Sequence, residues 1–389
     1  MMSYSSINYA DIFGMSAGII QNIMYGVRIL TTIIGFFLFI IVQKNYHNKR
    51  LNIYFKLLFF FLIVLFSGMV HSNLTIEIIL KYCLALGLYF YIIYCSIDYD
   101  ALIKGLLMFF KIILLLNIIY YFFNPSVGVY TTLNGLPLLK GILINRNSVL
   151  LYTLPIIILN NIANIKNELK IKIINIISFI VILLTGSDTA FIVSFFYLVM
   201  KFSHKRTINI KFYLCFFFII FICLIFLNFE NNIFGYIIVN IVGSDLTLSG
   251  RTIIWNRVLS LVSQKIILGY GIGSNMIAEV LSYKNATNGM PLNDPFNGFL
   301  NILFFNGVIG ILMFINILRE IFTKLYKYQF KDSNAKQFII MMLSFILISF
   351  SESIFQFTYF IFWIFLILIY EYKTNEDVKK DKVIKYNLM

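Results

Sequence analysis

Long apolar runs recur along this chain, separated by short polar connections, and that pattern constrains the fold more than any motif does. A helix that crosses a bilayer needs about 20 mainly apolar residues. Candidate runs lie near 26–42, 54–70, 76–97, 102–123, 148–162, 173–186, 188–201, 211–229, 297–318, 338–351 and 354–371. Phe, Tyr and Ile are abundant in them and would favour strands in water. In lipid a segment must satisfy its own backbone, so helix is expected instead. A membrane barrel would show strands of about ten residues with alternating polarity, whereas these runs are apolar on every face. The expected class is all-α: a polytopic integral membrane protein of about eleven transmembrane helices (ten to twelve), with residues 1–389 forming a single transmembrane domain.

Composition points the same way. Only 12% of residues are charged and mean hydropathy is +0.88, against about 25% charged in soluble domains. The net charge of +14 does not mark a nucleic-acid binder, because the basic residues lie in short clusters between apolar runs rather than on one soluble face. Cys83, Cys95, Cys215 and Cys223 all fall inside apolar segments with no Cys-x-x-Cys pair, so neither a disulfide framework nor a zinc site is expected. Met1–Tyr9 has no basic region leading into an apolar core, so a cleaved signal peptide is not expected either.

Basic residues orient the spans. With the N-terminus outside, the inner segments carry 20 Lys and Arg, and the outer connections carry six: Lys140, Arg146, Arg251, Arg257, Lys265 and Lys284. That asymmetry follows the positive-inside rule, with one blemish in the acidic inner loop 98–101. A further span within Asp11–Gly26 would move the N-terminus inside without disturbing the rest. Two outer segments are too long to be simple connections, Asn124–Asn147 and the long extracytoplasmic loop 230–296. Long ordered loops usually carry function.

Within the longer loop, Ile254, Val258, Leu261 and Val262 recur at helical spacing after Ser249 and Thr252, either of which could cap the start. The segment reads as an amphipathic helix near the membrane surface with Trp255 at interfacial depth. Arg251 stands near its first turn. Arginine's planar fork suits bidentate binding of phosphate oxygens and stays charged in a low-dielectric site. The competing reading is an interfacial anchor whose arginines meet lipid headgroups. Gly269, Gly271 and Gly273 follow at alternate positions; a structural turn is the default, and a phosphate-cradling nest is the alternative. Asp294 precedes Pro295 where the loop turns into the next span, either as a helix cap or as a carboxylate at the mouth of a cavity. Gly307 and Gly310 fit close helix packing better than substrate contact.

These motifs, taken in order, resemble the O-antigen polymerase and ligase superfamily. The resemblance rests on Gly250-Arg251 with Trp255, Gly269-Tyr270-Gly271-Ile272-Gly273-Ser274, and Asn297-Gly298-Phe299-Leu300 with Gly307-Val308-Ile309-Gly310. Ile144-Asn145-Arg146-Asn147 and Leu184-Thr185-Gly186-Ser187-Asp188-Thr189-Ala190 add to it, so that it spans roughly Lys140–Asn316. It implies glycan transfer at the outer face of a bacterial cytoplasmic (inner) membrane, from an undecaprenyl-diphosphate-linked oligosaccharide to another glycan. It also implies that loop arginines hold the donor diphosphate, which maps onto Arg251 and, less directly, Arg146 and Arg257.

The expected set is therefore Arg251 and Asp294 in chemistry, with Arg146, Arg257, Lys140 and Trp255 binding substrate. Arg251 would stabilise charge growing on the diphosphate, and Asp294 would take the acceptor's proton. The leaving group is already activated, so no metal or cofactor is expected. Relatives, ligases above all, carry a histidine immediately before the Asn-x-aromatic-Leu stretch, where this chain has Phe296. That departure favours a polymerase for O-antigen, capsule or exopolysaccharide repeats over a ligase acting on lipid A–core. His71, in a short outer loop, is a solvated side chain by default. A flippase or other transporter is the alternative of a different class; Asp188, Glu77 and Glu352 near span ends would then line its path, but no internal repeat supports it. The partners implied are membrane lipids, the lipid-linked oligosaccharide and, from the family, a chain-length regulator.

Overall fold

The computed structural model describes residues 26–27, 29–38, 40–41, 51–131, 135–143, 145–163, 168–203, 208–226, 251–273, 295–330 and 332–372. Among these, helices occupy every one of the apolar runs: α1 (Ile29–Leu38), α2 (Leu51–Val70), α3 (Ile76–Cys95), α4 (Tyr99–Phe123), α5 (Ser148–Ile162), α6 (Glu168–Leu184), α7 (Asp188–Phe202) and α8 (Ile210–Phe226). The amphipathic helix α9 (Arg251–Val262) follows, and then α10 (Gly298–Tyr328), α11 (Ser333–Ser349) and α12 (Phe360–Glu371). A two-stranded hairpin, β1 (Val129–Thr131) against β2 (Pro137–Leu139), lies between α4 and α5 with Tyr130 opposite Leu138.

By length and composition, α3, α4 and α10 are each long and apolar enough to cross a membrane, and six other helices are apolar but shorter. The chain is thus a mostly helical, multi-pass type of membrane protein, while the expected number of eleven crossings is not fixed by these lengths. The outer faces of the bundle agree with a lipid surround: Met108, Ile112 and Leu115 on α4, Ile173, Ile176 and Ile180 on α6, and Phe191 and Phe195 on α7 are all exposed. Apolar surface of that extent is not left to water.

Several helices start or end away from the apolar runs, each for a visible reason. Helix α4 begins at Tyr99 because the Asp98 carboxylate accepts the Ala101 amide at 3.0 Å, with Asp100 in the first turn. The acidic inner loop is therefore a helix cap, its charge matched to the helix dipole. Helix α12 begins at Phe360, not at 354. Residues 351–359 form an irregular turn whose carbonyls at Phe357 and Gln356 accept the Tyr89 hydroxyl and, at 3.0 Å, the Trp363 indole. That turn drives Phe355 between Phe314 and Phe362, with ring centroids 4.7 Å from each. In lipid, such packing rather than water exclusion holds helices together. Helices α11 and α12 form the centre: Phe338 to Phe345 and Ile361 to Ile369 are almost wholly buried.

Helix α10 is broken. Gly307 sits at φ 61°, ψ −163°, a conformation open essentially to glycine. The break strands backbone groups that lipid cannot satisfy, and the segment after α9 supplies their partners. Tyr270 and Gly271 amides donate to the Phe304 and Phe305 carbonyls at 2.7 and 3.0 Å, while Val308 and Ile309 amides donate to Ile266 and Ile267 carbonyls at 2.9 and 3.3 Å. The Ser67 hydroxyl of α2 lies within donor range of both Leu268 O and Phe305 O, at 2.5 and 2.7 Å. A side chain at Gly269 would meet Phe304 O at 2.4 Å. The alternate glycines thus make the structural turn expected by default, and here they pack against the broken helix. Gly307, likewise, serves close approach: its missing Cβ would lie 2.2 Å from Ile267 O.

Candidate functional site

The end of the bundle that carries β1–β2, the α6–α7 turn, the start of α9 and the 351–359 turn gathers the sequence-selected motifs. Arg146 precedes α5, and its Nη1 donates to Gly186 O at 3.0 Å, with Thr185 O at 3.4 Å. These are carbonyls at the C-terminal end of α6, where a cation complements the helix dipole. The same guanidinium lies over the Tyr130 ring, 5.2 Å from its centroid. The next residue, Asn147, donates from Nδ2 to Glu352 Oε1 at 2.7 Å. Glu352 Oε1 is also the ion-pair partner of Arg251 Nη2, at 3.7 Å. Beside it, the Ser351 and Thr189 hydroxyls share a hydrogen bond of 2.7 Å, tying this turn to α7.

Arg251 is thus joined to Asn147 through Glu352, while Arg146, the residue before Asn147 in the chain, engages the α6–α7 turn. The Arg251–Glu352 separation exceeds hydrogen-bond range. Among the described residues no hydrogen bond engages the Arg251 guanidinium, although that group carries five N–H donors. Its side chain is 23% exposed and that of Glu352 12% exposed, so the pair is partly shielded from solvent. Such an arrangement can accept an anion with several oxygen acceptors, as a diphosphate has.

Trp255 stands one turn along α9, and its indole donates to Pro295 O at 3.0 Å. Its ring is 2% exposed and packs inward with Ile254, Val258, Leu261 and Val262. The tryptophan thus fixes α9, and with it Arg251, against the start of α10. There Asn297 accepts the Phe299 and Leu300 amides at 3.1 and 3.0 Å and donates to Phe350 O at 3.3 Å. Gly298 is required beside it, because a Cβ would meet the Phe355 ring at 2.7 Å. The Asn-Gly motif is a capped helix start docked on the turn that presents Glu352.

Arg257 projects from the exposed face of α9, away from the buried side. Lys140 follows β2, and its amide donates to Gly128 O at 2.9 Å. Asp294 lies outside the described residues, as do 230–250 and 274–293 of the long loop, and His47 and His204. His71 meets Lys265, whose ammonium is 3.3 Å from Nδ1, and neither residue joins the Arg251 network. From the sequence, Glu352 is a span-end acid that would matter only in a transporter. Its signal was there: an acid in a two- or three-residue outer turn of an otherwise apolar stretch.

Residues 173–315 match the family model described as O-antigen ligase. The match supports the resemblance to the O-antigen polymerase and ligase superfamily. No curated protein matches the sequence significantly. The superfamily match contains the α6–α7 turn, Arg251, Trp255, the glycine turn and the Asn297 cap, while Arg146, Asn147 and Glu352 lie outside it. The match supports a membrane enzyme of the glycosyltransferase kind. The structure joins the residues inside the match to those outside it at one polar network.

Proposed function

We propose that this protein polymerises lipid-linked oligosaccharide repeats, moving a growing glycan from undecaprenyl diphosphate onto the next repeat unit. The observation that carries the reading is Arg251 beside Glu352 and Asn147, with no hydrogen bond to its guanidinium among the described residues, and with Arg146 held at the α6–α7 turn. Arg251 binds the donor diphosphate and stabilises the charge that grows there as the glycosidic bond breaks. Preorganised donors aimed at developing charge commonly contribute about 10²–10³ in rate. Arg146, already held by carbonyls, adds positive potential from the other side. Arg257 and Lys140 lie nearby in the chain and contribute charge at the rim, and Trp255 holds α9 in place.

In this reading the end faces outward from the cytoplasmic membrane, which the distribution of basic residues supports. Polymerase is favoured over ligase because Phe296 occupies the slot before Asn297; it adopts φ 49° and packs on the apolar core, where it offers no group for acid–base work.

The test is reconstitution. Purified protein is given a defined undecaprenyl-diphosphate-linked repeat, with EDTA present, and products are separated by length. A ladder of repeats is the expected result. Transfer only when a lipid A–core acceptor is added would replace this reading with ligase. Movement of the repeat across a vesicle membrane without any transfer would replace it with a flippase.

A further inference from the structure

We propose that Glu352 is the base that takes the proton from the acceptor hydroxyl. This rests on the glycan-transfer reading above and adds the group that reading lacks among the described residues. The requirement is geometric first: a base must sit within a few ångströms of the reacting oxygen while the diphosphate is held beside it. Glu352 meets it. Its Oε1 is fixed at 2.7 Å by Asn147 Nδ2 and lies 3.7 Å from the guanidinium that binds the leaving group. The turn that carries it is tied to α7 through Ser351 and Thr189 and to α10 through Phe350 and Asn297. The carboxylate is thus held by three elements rather than by a loop alone. Of the other acids at this end, Asp188 is exposed at the start of α7.

The step balances without a further reagent. An acceptor oxygen attacks the anomeric carbon, and its proton passes to the Glu352 carboxylate. The bond from that carbon to the diphosphate oxygen breaks, and its electron pair leaves on the diphosphate beside Arg251. In the empty site Arg251 compensates the charge of Glu352. When the donor takes the guanidinium, Glu352 shares its counter-charge with the diphosphate.

The experiment compares donor binding with turnover. Wild type and Glu352→Gln are assayed for undecaprenyl diphosphate binding and for transfer to two acceptors, a second lipid-linked repeat and lipid A–core. Glu352→Gln preserves an acceptor for Asn147 but cannot take a proton. Binding within about three-fold of wild type is expected, with turnover down by about 10²–10⁴. Glu352→Ala is expected to recover part of its turnover in added formate, which supplies a small carboxylate; this variant also serves if the glutamine form is not recovered folded. Turnover by Glu352→Gln near that of wild type would overturn the proposal. So would equal losses in binding and turnover together with no recovery in formate, because Glu352 would then only position Arg251. Loss of turnover with intact binding in Asp294→Asn, but not in Glu352→Gln, would move the base to Asp294. Wild-type transfer to lipid A–core alone would remove the polymerase reading and leave the comparison at Glu352 readable. No wild-type transfer to either acceptor would overturn both.

Discussion

The two ends of the bundle treat charge in opposite ways. At the end that holds the α10–α11 connection, polar groups are matched closely. The Tyr372 hydroxyl meets Asp332, Lys56 pairs with Glu320, Lys336 donates to Ser203 O at 3.2 Å, and Gln329 Oε1 accepts the Ile208 amide at 2.8 Å. Burial and the adjacent Asp332 push the Tyr372 phenol well above its usual range, so it stays a donor at any physiological pH. At the other end the Arg251–Glu352 pair stands at 3.7 Å, and among the described residues no hydrogen bond engages the guanidinium. The first arrangement ties together the ends of α2, α7, α8, α10, α11 and α12. The second is a looser ion pair, the kind of arrangement the proposed diphosphate site would use.

Substitutions at the two ends should therefore separate binding from stability. The largest effect is expected at Arg251: Arg251→Ala should lower transfer by about 10³ while the protein stays inserted and folded, as read by a polymer ladder beside a thermal melt. Next comes Gly307→Ala. A Cβ 2.2 Å from Ile267 O at φ 61° combines backbone strain with overpacking, roughly 3–5 kcal/mol in all. A sharply lower melting temperature and poor recovery of folded protein should follow, and an unchanged melt would contradict the broken-helix account. Arg146→Ala should cost about 10–100-fold in transfer, less than Arg251 because its donors already serve Gly186 and Thr185 carbonyls. The smallest effect is expected at the far end, where Asp332→Asn should lower stability by about 1 kcal/mol and leave transfer near the wild-type rate. A loss of transfer there without a loss of stability would break the comparison between the ends.

The helices were legible from the apolar runs because lipid leaves the backbone one local solution. What was not legible is where that solution is interrupted. Residues 354–359 lie inside a mainly apolar run, yet they form a turn whose carbonyls are satisfied by Tyr89, distant in the chain, and by Trp363 of the helix that follows. Gly307 read as a packing glycine, and only its partners at Ile266–Gly271 show a broken helix. Arg251, Arg146 and the α6–α7 turn could be singled out by residue type and motif order. Glu352 could not be joined to them by sequence, because it lies 101 positions beyond Arg251 and its role depends on a fold-back turn.

The central claim is that Arg251 holds a diphosphate. It is tested most directly by the affinity of undecaprenyl diphosphate for detergent-solubilised wild type and Arg251→Ala, measured at two salt concentrations. The account predicts affinity weakened by at least about ten-fold, or about 1.4 kcal/mol, with a smaller salt dependence in the variant. Equal affinity and equal salt dependence in the two proteins would contradict it.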